Sequence, residues 1–257
     1  MRGLATNCDS MAPDSDVTQD AVLGGRLQLR QLKRGHRVGH DAILLAAATP
    51  LEPGEHAVDL GAGVGGAGLA LAIRNSAAHV SLVEIDPTLC TLARDNVVLN
   101  GLDRRVDVIQ QEAAACSLSE VDRVLMNPPF NDPARAQSSP DPGRRLAHVA
   151  RKDTLAVWVG AASRMLKSGG TLSMVWRADG LAEIEAELGA GFGDLRILPI
   201  KPREDVIPIR VLVRARKDAA PERMLLNSLI LNGPDGRPSP AAEAILREGD
   251  TLPLADS

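Results

Sequence analysis

The chain has 257 residues, 44% of them hydrophobic and 24% charged, a length and composition that suit one globular domain with additions and exclude wholesale disorder, collagen-like and coiled-coil architectures. Aromatic residues make up only 2%, with no Tyr, which excludes a nucleic-acid platform of several stacked rings. The net charge of −4 argues against indiscriminate polyanion binding while leaving room for a local basic surface.

Residues 1–22 mix Asn, Asp, Ser, Thr and Pro without hydrophobic periodicity and read as a flexible leader. Residues 23–55 read as an N-terminal addition of a strand and a helix. Within it, residues 26–38 alternate Leu27 and Leu29 with polar residues, as a half-buried strand would, and carry five Arg or Lys without an acid. His40-Asp41 then gives an acidic start to a short helix over 42–48, closed by Thr49-Pro50. From residue 56 strands near 56–60, 79–84, 105–110 and 121–126, with helices near 66–74 and 87–99 between the first three, predict parallel βαβ units. A helix near 153–167, a strand near 170–176 and a helix near 179–189 continue the α/β alternation. Residues 194–200 and 207–216 follow as two consecutive strands, a final antiparallel hairpin, so the core is placed at 56–218. Residues 219–257 form a C-terminal extension packed on the core, with a strand at 225–231 and a short helix after the Asn232–Gly236 turn.

Cys8, Cys90 and Cys116 are widely spaced and odd in number, which fits neither a disulfide framework nor a zinc site. No apolar run approaches the roughly 18 residues of a membrane span, and the N-terminus lacks signal-peptide order, so a cytoplasmic protein without membrane attachment is expected. His36 and His40 are four apart, but the intervening Gly39 and the absence of Glu beside His36 argue against a metal-binding helix, and no metal is expected.

The segment Asp59-Leu60-Gly61-Ala62-Gly63-Val64-Gly65-Gly66 lies where a buried strand meets a helix, a position at which glycines permit a tight turn and close approach of a nucleotide-like ligand. Glu84 ends the next strand, where a carboxylate accepts ribose hydroxyl hydrogens. Asp59 immediately before the loop repels a pyrophosphate but suits the ammonium and sulfonium charges of S-adenosyl-L-methionine. A purely structural use of Asp59, holding the loop by hydrogen bonds, is the alternative.

This segment resembles the first motif of the class I S-adenosylmethionine-dependent methyltransferases, with Glu84 matching the ribose-binding acid. The resemblance covers about residues 56–216. It implies a Rossmann-like, seven-stranded, mostly parallel sheet with a reversed final hairpin. It also places Glu112, after the third strand, near the cofactor's adenine amino group; an acid favoured at a helix N-terminus is the plainer reading.

Asn127-Pro128-Pro129-Phe130 follows the fourth strand, and its double proline stops the strand and stiffens the backbone. The Asn127 side-chain oxygen and the Pro128 carbonyl can each accept one hydrogen of an exocyclic amine while Phe130 stacks on the planar group. An isolated Asn-Pro-Pro is simply a turn. At this distance from the glycine loop it resembles the signature of N-methyltransferases acting on adenine, cytosine or a glutamine amide.

Two flanking blocks, residues 37–45 and Ser139-Pro140-Asp141 with Ala147-His148, extend the resemblance to the bacterial tRNA1(Val) (adenine-37-N6)-methyltransferase family. It implies N6-methylation of an anticodon-loop adenine, with tRNA as partner and with Gly39 and Asp41 at the methionine end of the cofactor. Helix capping is the bland alternative for those two. Candidate phosphate contacts are Arg26, Arg30, Lys33, Arg34 and Arg37, and after the Asn-Pro-Pro-Phe motif Arg144, Arg145, Arg151 and Lys152. The same motifs leave open an N-methyltransferase acting on another RNA, DNA or a protein glutamine, and a Rossmann-like binding module without catalysis.

Overall fold

The computed structural model describes residues 16–35, 37–129 and 143–255, and of residues 143–153 the backbone alone. Val17–Val22 (β1) and Leu27–Leu32 (β2) form an antiparallel hairpin, running from Val17 opposite Leu32 to Val22 opposite Leu27. A flexible leader through residue 22 is therefore corrected for Val17–Val22, while residues 1–15 lie outside the described residues. The strand escapes sequence reading because VTQDAV has no clean alternation; it is half-buried only through its partner, whose Leu27 and Leu29 enter the core.

The chain then alternates helix and strand: α1 (His40–Ala48), β3 (His56–Leu60), α2 (Gly66–Arg74), β4 (His79–Glu84), α3 (Pro87–Leu99), β5 (Val106–Gln110), β6 (Val121–Met126), α4 (Gly143–Met165), β7 (Leu166–Arg177), α5 (Leu181–Leu188), β8 (Phe192–Lys201) and β9 (Arg210–Lys217). Helix α4 starts ten residues before the predicted 153, in a segment rich in the good helix formers Arg, Leu and Ala. Seven strands lie side by side in the order β8-β9-β7-β6-β3-β4-β5, and β9 alone runs antiparallel to its two neighbours. The C-terminal segment adds β10 (Arg223–Leu225) and β11 (Leu229–Ile230), both parallel to β8, giving nine strands. The single strand predicted at 225–231 is thus two, interrupted around Asn227-Ser228, side chains that compete with the sheet for backbone hydrogen bonds.

Side-chain alternation along the strands supplies both faces of the sheet. Leu125 of β6 joins the core beneath α1, α2, α3 and the N-terminal hairpin, whereas Val124 and Met126 join the core beneath α4 and α5. Ile245, Leu252 and Leu254 of the C-terminal segment complete the first core. Arg74 pins that segment by donating to the carbonyls of Gly249, Asp250 and Ile245, and Arg214 Nη1 donates to Leu254 O at 2.9 Å.

Candidate active site

Strand β3 lies between β4 and β6, with Leu60 paired to Val83 on one side and to Met126 on the other. The loop that starts at Gly61 is therefore flanked by the strand ending at Glu84 and by the one that runs into Asn127. Strand order reverses at β3, where open α/β sheets form a crevice beyond the strands' carboxyl ends.

Glu84 anchors the loop. The N–H groups of Gly61 and Ala62 donate to Val83 O at 2.8 and 2.9 Å, and Gly63 N–H donates to Glu84 Oε2 at 2.8 Å. The other oxygen, Oε1, accepts from the N–H groups of Ile85 and Asp86 at 2.8 and 2.9 Å. A carboxylate offers roughly four acceptor positions, so holding both hydroxyls of a ribose requires Glu84 to give up one of these backbone bonds. Gly63 N–H, in the loop itself, is the donor a ligand there would replace.

Gly61 adopts φ +74°, in the left-handed region, and a Cβ there would lie 2.2 Å from Cη2 of Trp158 on α4. The Trp158 indole thus packs directly on the loop backbone, a role sequence reading did not assign. Its scarcity, as one of two Trp residues, was the available hint.

Asp59 is buried, 3% exposed, and its Oδ2 accepts the N–H of Gly68 on α2 at 2.7 Å. A Cβ on Gly68 would fall 2.3 Å from Leu82 Cδ2, so glycine is what lets the helix approach. Burial, with Glu84 adding to it, pushes the Asp59 carboxyl up to about 7 against the opposing Gly68 bond. In this structure the hydrogen bond Asp59 makes is with the fold, through Oδ2 to Gly68. Its influence on the loop is exerted through α2.

Ile85, next to Glu84 and not singled out in the sequence, is 61% exposed. The predicted positions after β5 and β6 lie at the same edge of the sheet. Glu112 is exposed beyond β5 and leads a 3-10 turn without capping it. Asn127 is half-buried, Pro128 buried and Pro129 exposed; Phe130 lies outside the described residues. Gly39 is the extended residue before α1, and Val38 packs against Gly66, which sets the start of α1 beside the start of α2. Asp41 Oδ2 meets Arg210 Nε at 3.3 Å, so its charge is engaged by β9.

The basic residues divide. Arg30 pairs with Asp95 of α3 at 3.0 Å. Arg37 donates to Asp20 at 2.7 Å, to Thr18 Oγ1 and to Leu32 O, while the Gln31 amide, then Thr18 and Arg37, hold the Asp20 carboxyl below the usual carboxylate range against burial. Arg26 turns onto Leu23 O and Gly249, where the hairpin meets the C-terminal segment. Arg26, Arg30 and Arg37, expected as candidate phosphate contacts, each have partners within the fold. Lys33 and Arg34 are exposed where β2 ends. The side chains of Arg144, Arg145, Arg151 and Lys152 lie outside the described residues. Among the described residues no group of three or more His, Cys, Asp or Glu is placed to hold a metal, and no helix is long and apolar enough to cross a membrane.

Residues 36–203 match the family described as the methyltransferase small domain. The chain is similar to the tRNA1(Val) (adenine(37)-N6)-methyltransferase of Tolumonas auensis, at 28% identity over 216 residues, 82% of this chain and 89% of the relative. The release factor glutamine methyltransferase of Chlorobaculum tepidum is 28% identical over 155 residues, 55% of this chain and 52% of that protein. Among solved structures, one from Agrobacterium tumefaciens described as a predicted O-methyltransferase superposes with a TM-score of 0.69 at 27% identity, covering 82% of this chain and 98% of that one.

Proposed function

Because the chain belongs to the methyltransferase small domain family, we propose that it methylates N6 of an adenine in tRNA, at position 37 of the anticodon loop, with S-adenosyl-L-methionine as donor. The observation that carries this reading is the pairing of Leu60 with Met126, which brings the glycine loop and Asn127-Pro128 to adjacent strand ends. The relative named for that tRNA reaction matches 82% of the chain, against 55% for the glutamine methyltransferase, which favours tRNA as acceptor.

The site fits the donor. Gly63 has open space where a Cβ would stand, Glu84 presents a carboxylate to a ribose, and Ile85 offers an exposed apolar side chain to the adenine. Glu112 stands at the same edge for the adenine amino group, and Asp41 near the start of α1 for the methionine end. When bound, S-adenosyl-L-methionine supplies an electrophilic methyl carbon. The protein's part is to present the acceptor nitrogen. Asn127 and the Pro128 carbonyl would each accept a hydrogen bond from one amine hydrogen, turning the nitrogen lone pair out of conjugation toward the methyl carbon, with Phe130 stacked on the base; the one proton the nitrogen sheds on methylation leaves to solvent. An anticodon loop already exposes its bases, which lowers the unstacking cost.

Purified enzyme and cofactor should be incubated separately with bulk tRNA, ribosomal RNA, DNA and a glutamine-containing release factor, and the products read by nucleoside and peptide mass spectrometry. N6-methyladenosine in tRNA is the expected product. Transfer into another acceptor with none into tRNA overturns the reading.

A further inference from the structure

We propose that Asn96 of α3 is a positioning residue for the donor site, its buried carboxamide holding the glycine loop in its ligand-ready shape through the Val64 carbonyl. The proposal rests on the reading of that loop as the S-adenosyl-L-methionine site. Asn96 is 0% exposed. A polar side chain buried this deeply is costly unless its hydrogen bonds are made, so its partners show what it is for.

Three bonds engage it. Oδ1 accepts the N–H of Arg30 at 2.6 Å, and Nδ2 donates to Arg30 O and to Val64 O, each at 3.0 Å. One helical turn later Asn100 repeats part of this pattern: its Oδ1 accepts Gln28 N–H at 2.9 Å and its Nδ2 donates to Gln28 O at 2.7 Å. Gln28 and Arg30 are alternate residues of β2, so the two amides, four apart on one helix face, pair with the β2 backbone as a neighbouring strand would. Docking of the hairpin on α3 is therefore shared between the two asparagines. What Asn96 adds is the bond to Val64.

Val64 lies between the two glycines that shape the loop. Before it, Gly63 gives its N–H to Glu84 and has open space where a Cβ would stand. After it, Gly65 adopts φ +92° and leads into α2. The Val64 carbonyl belongs to the peptide group that enters Gly65, so Asn96 fixes this left-handed turn from α3 while Glu84 fixes Gly63 from β4. A loop gripped on both sides of its ligand-facing residue has little freedom left to lose when the donor binds. Without the Asn96 amide, the Val64 carbonyl loses its partner and the peptide turns toward water. Asn127 follows β6, on the other side of β3 from β4, so the acceptor end of the site keeps its geometry.

The test compares Asn96→Ala with Asn100→Ala in the full chain. Both loosen the hairpin and should lower the melting temperature, but only Asn96→Ala removes the bond to Val64. Calorimetry should show S-adenosylhomocysteine bound about fivefold more weakly by Asn96→Ala, the worth of one neutral hydrogen bond, and within twofold of wild type by Asn100→Ala. In steady-state methylation of tRNA, KM for S-adenosyl-L-methionine should rise by a similar factor in Asn96→Ala while kcat holds within twofold. If Asn96→Ala does not fold, Asn96→Ser, whose short hydroxyl cannot span Arg30 and Val64 at once, takes its place with the same expectations. An affinity within twofold of wild type for the Asn96 variant overturns the proposal. So does an equal weakening in Asn100→Ala, since docking of the hairpin is then the cause, or a fall in kcat with KM unchanged. If the wild-type protein itself binds no S-adenosylhomocysteine, the reading of the loop falls first and takes this role of Asn96 with it.

Discussion

Glu84 Oε2 accepts the backbone N–H of Gly63 at 2.8 Å, so the carboxylate we propose for the cofactor ribose also sets the shape of the glycine loop. Replacing Glu84 by Ala removes three charge-assisted backbone bonds at once. Cofactor affinity is expected to fall by about 1–3 kcal/mol, and the melting temperature should fall with it. Calorimetry with S-adenosylhomocysteine and a thermal melt check both; unchanged stability with lost affinity would assign Glu84 to the ligand alone.

Asp59 makes stability depend on pH. Its folded-state pKa, about 7 against an ordinary 3.8, means that the folded protein favours the protonated acid, so the contribution is fully present below pH 4 and is lost as pH rises through 7. Asp59→Asn keeps an oxygen for Gly68 N–H and carries no charge at any pH. The stability of wild type relative to this variant is expected to decline between pH 4 and 7, by up to about 4 kcal/mol. Urea unfolding across that range measures it, and parallel curves for the two proteins would refute the assignment.

Asn127→Ala should reduce methyl transfer by about 100-fold or more, the loss typical of a positioned transition-state contact. Binding of S-adenosylhomocysteine should stay within a few-fold of wild type, because the predicted contact is with the acceptor amine. Single-turnover rates at saturating cofactor separate these effects; wild-type rates would remove Asn127 from the reaction.

The basic strand offers two different outcomes. Charge removal at Lys33 and Arg34, both exposed, should lower tRNA affinity and flatten its dependence on salt. Arg30→Ala and Arg37→Ala should instead lower stability, since each leaves a carboxylate, Asp95 or Asp20, without its partner. Binding titrations at several salt concentrations, paired with melting curves, distinguish a surface for phosphates from a brace for the hairpin.

Gly61→Ala meets both a left-handed backbone and the Trp158 ring. It should cost about 1–3 kcal/mol of stability, and combining it with Trp158→Leu should recover part of the loss. Equal costs for the single and double variants would show that the backbone strain, and not the ring, dominates.

Much of this protein was legible in its residue order because the signals are local. Short, largely apolar runs mark the buried strands β3 and β4, a glycine-rich turn after Asp59 marks a strand-to-helix loop, and a double proline after β6 marks the end of a strand. Those patterns depend on neighbours a few residues away. What only the tertiary structure decided depends on partners far along the chain. Val17–Val22 becomes a strand because Leu27–Leu32 covers it. Asp59 meets Gly68 instead of solvent because α2 packs close, and Trp158, nearly a hundred residues beyond Gly61, closes over that glycine. Arg30 and Arg37 read as free cations until folding delivers Asp95 and Asp20 to them, since a charge shows its sign in sequence but finds its counter-charge only in space.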